Sequence, residues 1–170
     1  SNASFRDKLI GNLKETETLT FNFIQTIENK EERGNCFIKY PLLMRCTYNN
    51  LKGKIIISNG KTVAVIKKKY KKIYYYPIKR TPLMILLKKD TILNLVKNSE
   101  PFKIGLKKIE YKFNQDENKL KIFFDKSTLD FMGWETQDAY SNIVNFSIIN
   151  LKKNILIKDN FFSIPKESDL

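Results

Sequence analysis

Residues 54–67 read Lys54-Ile55-Ile56-Ile57-Ser58-Asn59-Gly60-Lys61-Thr62-Val63-Ala64-Val65-Ile66-Lys67. Two runs rich in β-branched residues flank Asn59-Gly60, a pair that tolerates positive φ and closes tight hairpins. The stretch predicts two antiparallel strands, 54–58 and 62–67. The same pattern repeats outward. Leu19, Phe21, Phe23 and Gln25 alternate with Thr20, Asn22, Ile24 and Thr26, which predicts a strand ending near Ile27. Segments 35–40 and 43–48 follow, bent at Pro41, and 70–76 ends at Pro77. Later candidates are 104–113, 120–125, 128–135 and 140–151, with turns expected at 114–118, 125–127 and 152–154.

Helical spacing occurs in two places. Phe5, Leu9 and Leu13, with Ile10 beside them, form one face of an N-terminal helix whose other face holds Arg6, Asp7, Lys8 and Lys14. The strand meander is interrupted once, at Thr81-Pro82-Leu83-Met84-Ile85-Leu86-Leu87. Thr81 is the expected N-cap and Pro82 the first helical residue. Asp90 is the expected cap of a second short helix carrying Ile92, Leu93, Leu95 and Val96. Both helices are apolar for their length. The expectation is a mainly β fold with added α: one curved antiparallel sheet of ten or eleven strands with helices over one face, not a two-sheet sandwich. Residues 4–170 read as a single domain, with no repeat and no linker. Ser1-Asn2-Ala3 reads as a tag remnant, and a secretion signal ahead of Ser4 is expected.

Composition limits the chemistry. The chain has 170 residues, no His and two Cys, so an imidazole triad, a His-based metal site and a four-Cys zinc site are excluded. It holds no Gly-rich phosphate loop and no Gly-x-Ser-x-Gly. The acid pairs Glu31-Glu32 and Asp116-Glu117 lie in polar, turn-like contexts and read as solvated. No catalytic residue, metal or cofactor is therefore expected, and the protein does not read as an enzyme. The net charge of +13 is carried by lysines spread along the chain, with arginine only at 6, 33, 45 and 80. That distribution suits a solvated surface better than a nucleic-acid module, and an anionic membrane face is the lesser reading.

Two observations leave alternatives open. Cys36 and Cys46 each lie five residues from Pro41, so strands pairing across that bend place them opposite each other, either as a disulfide or as two small buried thiols. The 12 Phe and 8 Tyr, with the apolar helices, either fill an ordinary core or line a cavity for a long apolar ligand.

Five segments in order carry a family resemblance: Phe21-Asn22-Phe23-Ile24-Gln25-Thr26, Tyr40-Pro41-Leu42-Leu43-Met44-Arg45, Ile57-Ser58-Asn59-Gly60-Lys61-Thr62, Arg80-Thr81-Pro82-Leu83-Met84-Ile85-Leu86 and Phe161-Phe162-Ser163-Ile164-Pro165. Together they make the chain resemble the periplasmic outer-membrane lipoprotein carrier family, LolA. The resemblance implies an incomplete antiparallel β-barrel with a helical lid over a hydrophobic cavity. It also implies a periplasmic chaperone, a monomer, that takes acylated lipoproteins from an inner-membrane ABC-type transporter and passes them to an outer-membrane acceptor. By position, Leu13, Met44, Cys46 and Ile56 would line the acyl-chain cavity, and Leu83, Met84, Leu86 and Leu87 would belong to the lid. The family often places Arg before the first Pro as a lid latch. Here that residue is Tyr40, which leaves Tyr40, Arg45 and Arg80 as latch candidates. Cys46 stands where the family tends to carry an aromatic. The alternative is a related lipid-binding or envelope-sensing module with different cargo.

Overall fold

A computed structural model describes residues 2–115, 118–138 and 140–170. The first helix, α1 (Asn2–Glu15), includes Asn2 and Ala3, and its Leu9 and Leu13 are buried as their spacing predicts. The chain then forms β1 (Thr18–Ile27), β2 (Lys30–Lys39), β3 (Leu43–Tyr48), β4 (Lys54–Asn59), β5 (Thr62–Lys67) and β6 (Lys72–Pro77). Helices α2 (Leu83–Leu86) and α3 (Lys89–Asn98) follow, and then β7 (Lys103–Ile104), β8 (Lys108–Gln115), β9 (Asn118–Asp125), β10 (Phe131–Gln137) and β11 (Ile143–Lys153).

These strands form one antiparallel sheet in the order β6-β5-β4-β3-β2-β1-β11-β10-β9-β8-β7. Its ends, β6 and β7, do not pair with each other, so the barrel is half open. Period-2 alternation divides the side chains between two faces. The concave face holds Phe21, Phe23, Cys36, Ile38, Met44 and Cys46 in one large core with residues from all three helices. On the convex face, Ile55, Ile57, Ala64, Ile66 and Ile73 form a second, smaller core under Ile164 and Leu170 of the C-terminal segment.

The sheet bends at two irregularities, one between Thr20 and Asn22 and one between Phe131 and Gly133. Gly133 sits at φ 142°, and a Cβ there would run into the Phe146 carbonyl of β11.

Several boundaries differ from expectation for local reasons. β2 begins at Lys30 rather than residue 35, because a tight turn with Glu28 at φ 56° lets the polar stretch 30–34 pair with β1. The expected strand 104–113 is split between β7 and β8 by a turn in which Gly105 N–H donates to the Lys108 carbonyl. Residues 128–130 are not strand: the Asp125 carboxylate accepts from the amides of Ser127 and Thr128, and Leu129 adopts φ 63°. Residues 140–142 likewise fold onto the Asp138 carboxylate, so β11 starts at Ile143. It then runs on through Lys152 and Lys153, where a turn was expected. Residues 70–71 precede β6, in and after a 3₁₀ turn at Lys68–Tyr70. Thr81 does not cap α2; its hydroxyl donates to the Ile78 carbonyl. Asp90 lies within the first turn of α3 instead of capping it. Asp116-Glu117 lies outside the described residues.

Candidate functional site

The concave face is solid on one side and hollow on the other. On the solid side an aromatic stack runs Phe131, Trp134, Phe146, Phe23, with centroid separations of 5.8, 3.9 and 4.7 Å. Such close pairs fill the space between α1 and strands β1, β10 and β11. On the other side, under α2, a cavity of about 230 Å³ remains. Its floor is Met44, Cys46 and Tyr48 of β3, Ile56 of β4, and Val63 and Val65 of β5. Pro82, Leu83 and Leu86 roof it, and Trp134 and Phe146 close it against the aromatic stack. None of its lining residues is charged.

Its polar groups are few. The Tyr48 hydroxyl donates to Gln25 Oε1 at 3.0 Å, and both side chains are buried. Burial, with Glu32 adding to it, pushes the Tyr48 phenol well above its ordinary 10, so it stays a neutral donor. Lys54 spans the Tyr48 ring with its ammonium 4.3 Å from the centroid, and its partial burial lowers its pKa. With mainly apolar walls, the satisfied amide–phenol pair and only Thr81 and Thr136 as further polar lining residues, the cavity suits an apolar group.

Met44, Cys46, Ile56, Leu83 and Leu86 meet at this cavity. Leu13 does not: it faces a separate gap of about 20 Å³ beside Leu19, Phe124 and Phe131. Leu87 is packed into the core at 1 % exposure. Met84 is half-buried on α2 and lies off the cavity lining. Cys36 and Cys46 are directly opposite on β2 and β3, with Cα atoms 4.1 Å apart, and are joined as a disulfide in the cavity floor. Gln25, Tyr48, Val63, Val65 and Trp134 also line the cavity and were not singled out from sequence. The inward parity of Met44 and Cys46, carried across the sheet register, would have found Tyr48 and Gln25.

The latch candidates separate. Tyr40 precedes a cis Pro41 and packs against the large core, and burial pushes its phenol well above 10. Arg45 is on the convex face, away from the lid: its Nη1 donates to the Phe161 carbonyl at 3.2 Å and its guanidinium stacks 4.8 Å from that ring. Alternation along β3 dictates this, since Arg45 lies between inward-facing Met44 and Cys46. Arg80 is exposed and forms no hydrogen bond or ion pair among the described residues. Other contacts hold the lid. Leu42 N–H donates to the Leu87 carbonyl at 2.8 Å, joining the Pro41 turn to the end of α2. Lys89 Nζ donates to the main-chain oxygens of Lys14 and Thr16 at 3.3 and 2.8 Å, joining the start of α3 to the end of α1.

A larger depression of about 650 Å³ lies outside the barrel, between Lys39, Pro41, Lys88, Asp90 and Leu156. It is open and charged, and does not suit an apolar chain.

The fold is thus a half-open antiparallel barrel, roofed by short helices over an uncharged cavity. The family model for outer membrane lipoprotein carrier protein LolA matches residues 14–165, and the chain belongs to that family. No curated protein matches the chain in sequence. Solved structures share the fold. An uncharacterized conserved protein from Thermus thermophilus is 10% identical with a TM-score of 0.55, over 98% of this chain and 96% of that one. A chain of the Pseudomonas aeruginosa MucA/MucB complex is 6% identical with a TM-score of 0.50, over 98% of this chain and 62% of that one. No helix among the described residues is long and apolar enough to cross a membrane.

Proposed function

We propose that the protein is a periplasmic carrier that holds the acyl chains of a lipoprotein in the cavity under α2 and shuttles it from the inner to the outer membrane. The observation that carries this reading is the uncharged cavity between β3–β5 and Pro82, Leu83 and Leu86. Burying acyl methylenes contributes about 0.8 kcal/mol each, so a 16-carbon chain represents roughly 12 kcal/mol of gross transfer free energy. Net affinity is much smaller once ordering and lid opening are subtracted. At about 230 Å³ the cavity is below the usual range for ligand sites, so holding a whole acyl chain requires the lid to move further from the sheet. Cargo enters as α2 swings outward, and the lid is the two-state element that allows both loading and release. An inner-membrane ABC-type transporter would load it and an outer-membrane acceptor would unload it, with the protein acting as a monomer and without catalysis.

The test supplies inner-membrane vesicles bearing an acylated lipoprotein, the transporter and ATP, and looks for a soluble one-to-one complex. Leu86→Glu, which puts a charge on the cavity roof, abolishes that complex. No complex, with phospholipid still bound in native mass spectrometry, supports a lipid-binding or envelope-sensing role instead. The absence of a charged latch at Tyr40 favours that second reading.

A further inference from the structure

Strand β6 ends the sheet, and its surroundings differ from the rest of the surface. Residues 66–80 read Ile66-Lys67-Lys68-Lys69-Tyr70-Lys71-Lys72-Ile73-Tyr74-Tyr75-Tyr76-Pro77-Ile78-Lys79-Arg80, with seven cations and no acid. Tyr70, Tyr74, Tyr75 and Tyr76 are 52, 47, 55 and 47 % exposed, a run of four half-exposed aromatic rings at one sheet edge. Lys72 lies 3.8 Å from Glu167, while Lys67, Lys68, Lys69, Lys71, Lys79 and Arg80 form no ion pair among the described residues. Lys67 and Lys69 stand 5.5 and 5.8 Å from the rings of Tyr74 and Tyr70.

We propose that this edge docks on a membrane surface rich in anionic lipid. Tyrosine, apolar in body and polar at the tip, settles at headgroup depth, and each nearby cation adds attraction to an anionic leaflet. The cations lie at both ends of the tyrosine run, so they bracket it as a belt. The edge also adjoins the cavity: Tyr74 and Tyr76 stand opposite Val65 and Val63 in the β5–β6 register, and the 3₁₀ turn Ile78–Arg80 leads directly to Thr81 and Pro82 of the roof. Docking there brings the Val63, Val65 and Pro82 side of the cavity towards the lipid.

The free edge is poorly suited to the other obvious occupant, an added strand. Ile73 N–H already donates to Glu167 Oε2 at 3.2 Å. With a period of two, the next outward positions are Tyr75 and Pro77, and Pro77 has no N–H. One donor is left where a ladder needs several, and flanking lysines discourage pairing.

The inference does not depend on what the cavity holds, and its test needs no cargo. The intact protein is floated with vesicles of phosphatidylcholine alone and of phosphatidylcholine with 30% phosphatidylglycerol, at low and at 0.5 M salt. Binding to the anionic vesicles only, weakened at least tenfold by 0.5 M salt, is expected. A triple variant Lys68→Glu, Lys69→Glu, Lys71→Glu loses at least tenfold in affinity. The variant Tyr74→Ser, Tyr75→Ser, Tyr76→Ser loses several-fold without any change of charge. Lys103→Glu, Lys107→Glu, Lys152→Glu, of equal charge change on exposed sites outside residues 66–80, stays within about twofold. Thermal midpoints check that each variant folds. In Tyr75→Trp, added fluorescence is quenched by brominated lipid. Four results overturn the proposal: no vesicle binding, equal loss in both lysine variants, no effect of removing the tyrosines, or binding to an acidic peptide or single-stranded oligonucleotide with none to vesicles.

Discussion

The Lys89 ammonium lies 2.8 Å from the carbonyl oxygen of Thr16, and this contact fastens the lid to the first helix. It forms where α1 has run out of intrahelical donors, so the last carbonyls need an external partner, and a cation there also meets the negative end of the helix dipole. Lys89→Met removes this charge-assisted contact and the one to the Lys14 carbonyl, which costs about 1–2 kcal/mol. The expected outcome is a lower denaturation midpoint together with faster uptake of an apolar fluorescent dye. A variant that loses stability but takes up dye at the wild-type rate would show that Lys89 does not hold the lid.

Filling the cavity should block binding without unfolding the protein. Val65 faces it from β5 and is only partly buried, so Val65→Phe adds volume into existing space instead of into packed core. Acyl-lipopeptide affinity should fall at least tenfold while the thermal midpoint moves by only a few degrees. Isothermal titration and thermal unfolding read the two effects separately.

The Cys36–Cys46 bond joins adjacent strands across the Pro41 turn at a sequence separation of 10. Closing a loop of this size stabilises by about 2–3 kcal/mol. Dithiothreitol should lower the denaturation midpoint of the wild type and leave that of Cys36→Ala, Cys46→Ala unchanged. Unfolding curves with and without reductant measure this.

Asp130 Oδ1 accepts from Lys153 Nζ at 2.7 Å and from Asn12 Nδ2 at 3.2 Å, joining the turn before β10 to β11 and α1. Burial alone would raise its pKa, but the hydrogen bonds from Lys153 and Asn12 and the Lys153 charge outweigh it and hold the carboxyl below its ordinary 3.8. A carboxyl depressed in the folded state stabilises above its unfolded value of about 3.9, and that stabilisation fades as pH falls through the lower folded value. Asp130→Asn should therefore be less stable than wild type at pH 7 and converge with it in acid. Stability measured from pH 7 down to about pH 2 gives the comparison.

Much of the fold was legible because alternation and turn chemistry agree at most strands. Asn59-Gly60 fixes the β4–β5 hairpin, and its Asn59 side chain accepts from the amides of Lys61 and Thr62. The errors came where a short polar side chain captured backbone amides, at Asp125 and Asp138, or where a polar strand such as 30–34 carries no apolar face to announce it. Cavity-lining residues were legible where a family motif crossed the sheet, as at Met44 and Leu86. Trp134 and Val65 belong to the cavity only through a register that joins distant strands. The lid fastening was not legible because a lysine, not an arginine, supplies it, and its partners are main-chain oxygens, which a sequence does not distinguish.

The most direct test of the acyl-chain cavity is photo-crosslinking. A diacylated lipopeptide with a diazirine midway along one chain is bound, irradiated and mapped by mass spectrometry. The account predicts one lipopeptide per protein, with label on Met44, Ile56, Val65, Leu83 and Leu86, and loss of that label in Leu86→Glu. Label scattered over the convex face around Phe161 and Ile164, or equal labelling in Leu86→Glu, would contradict it.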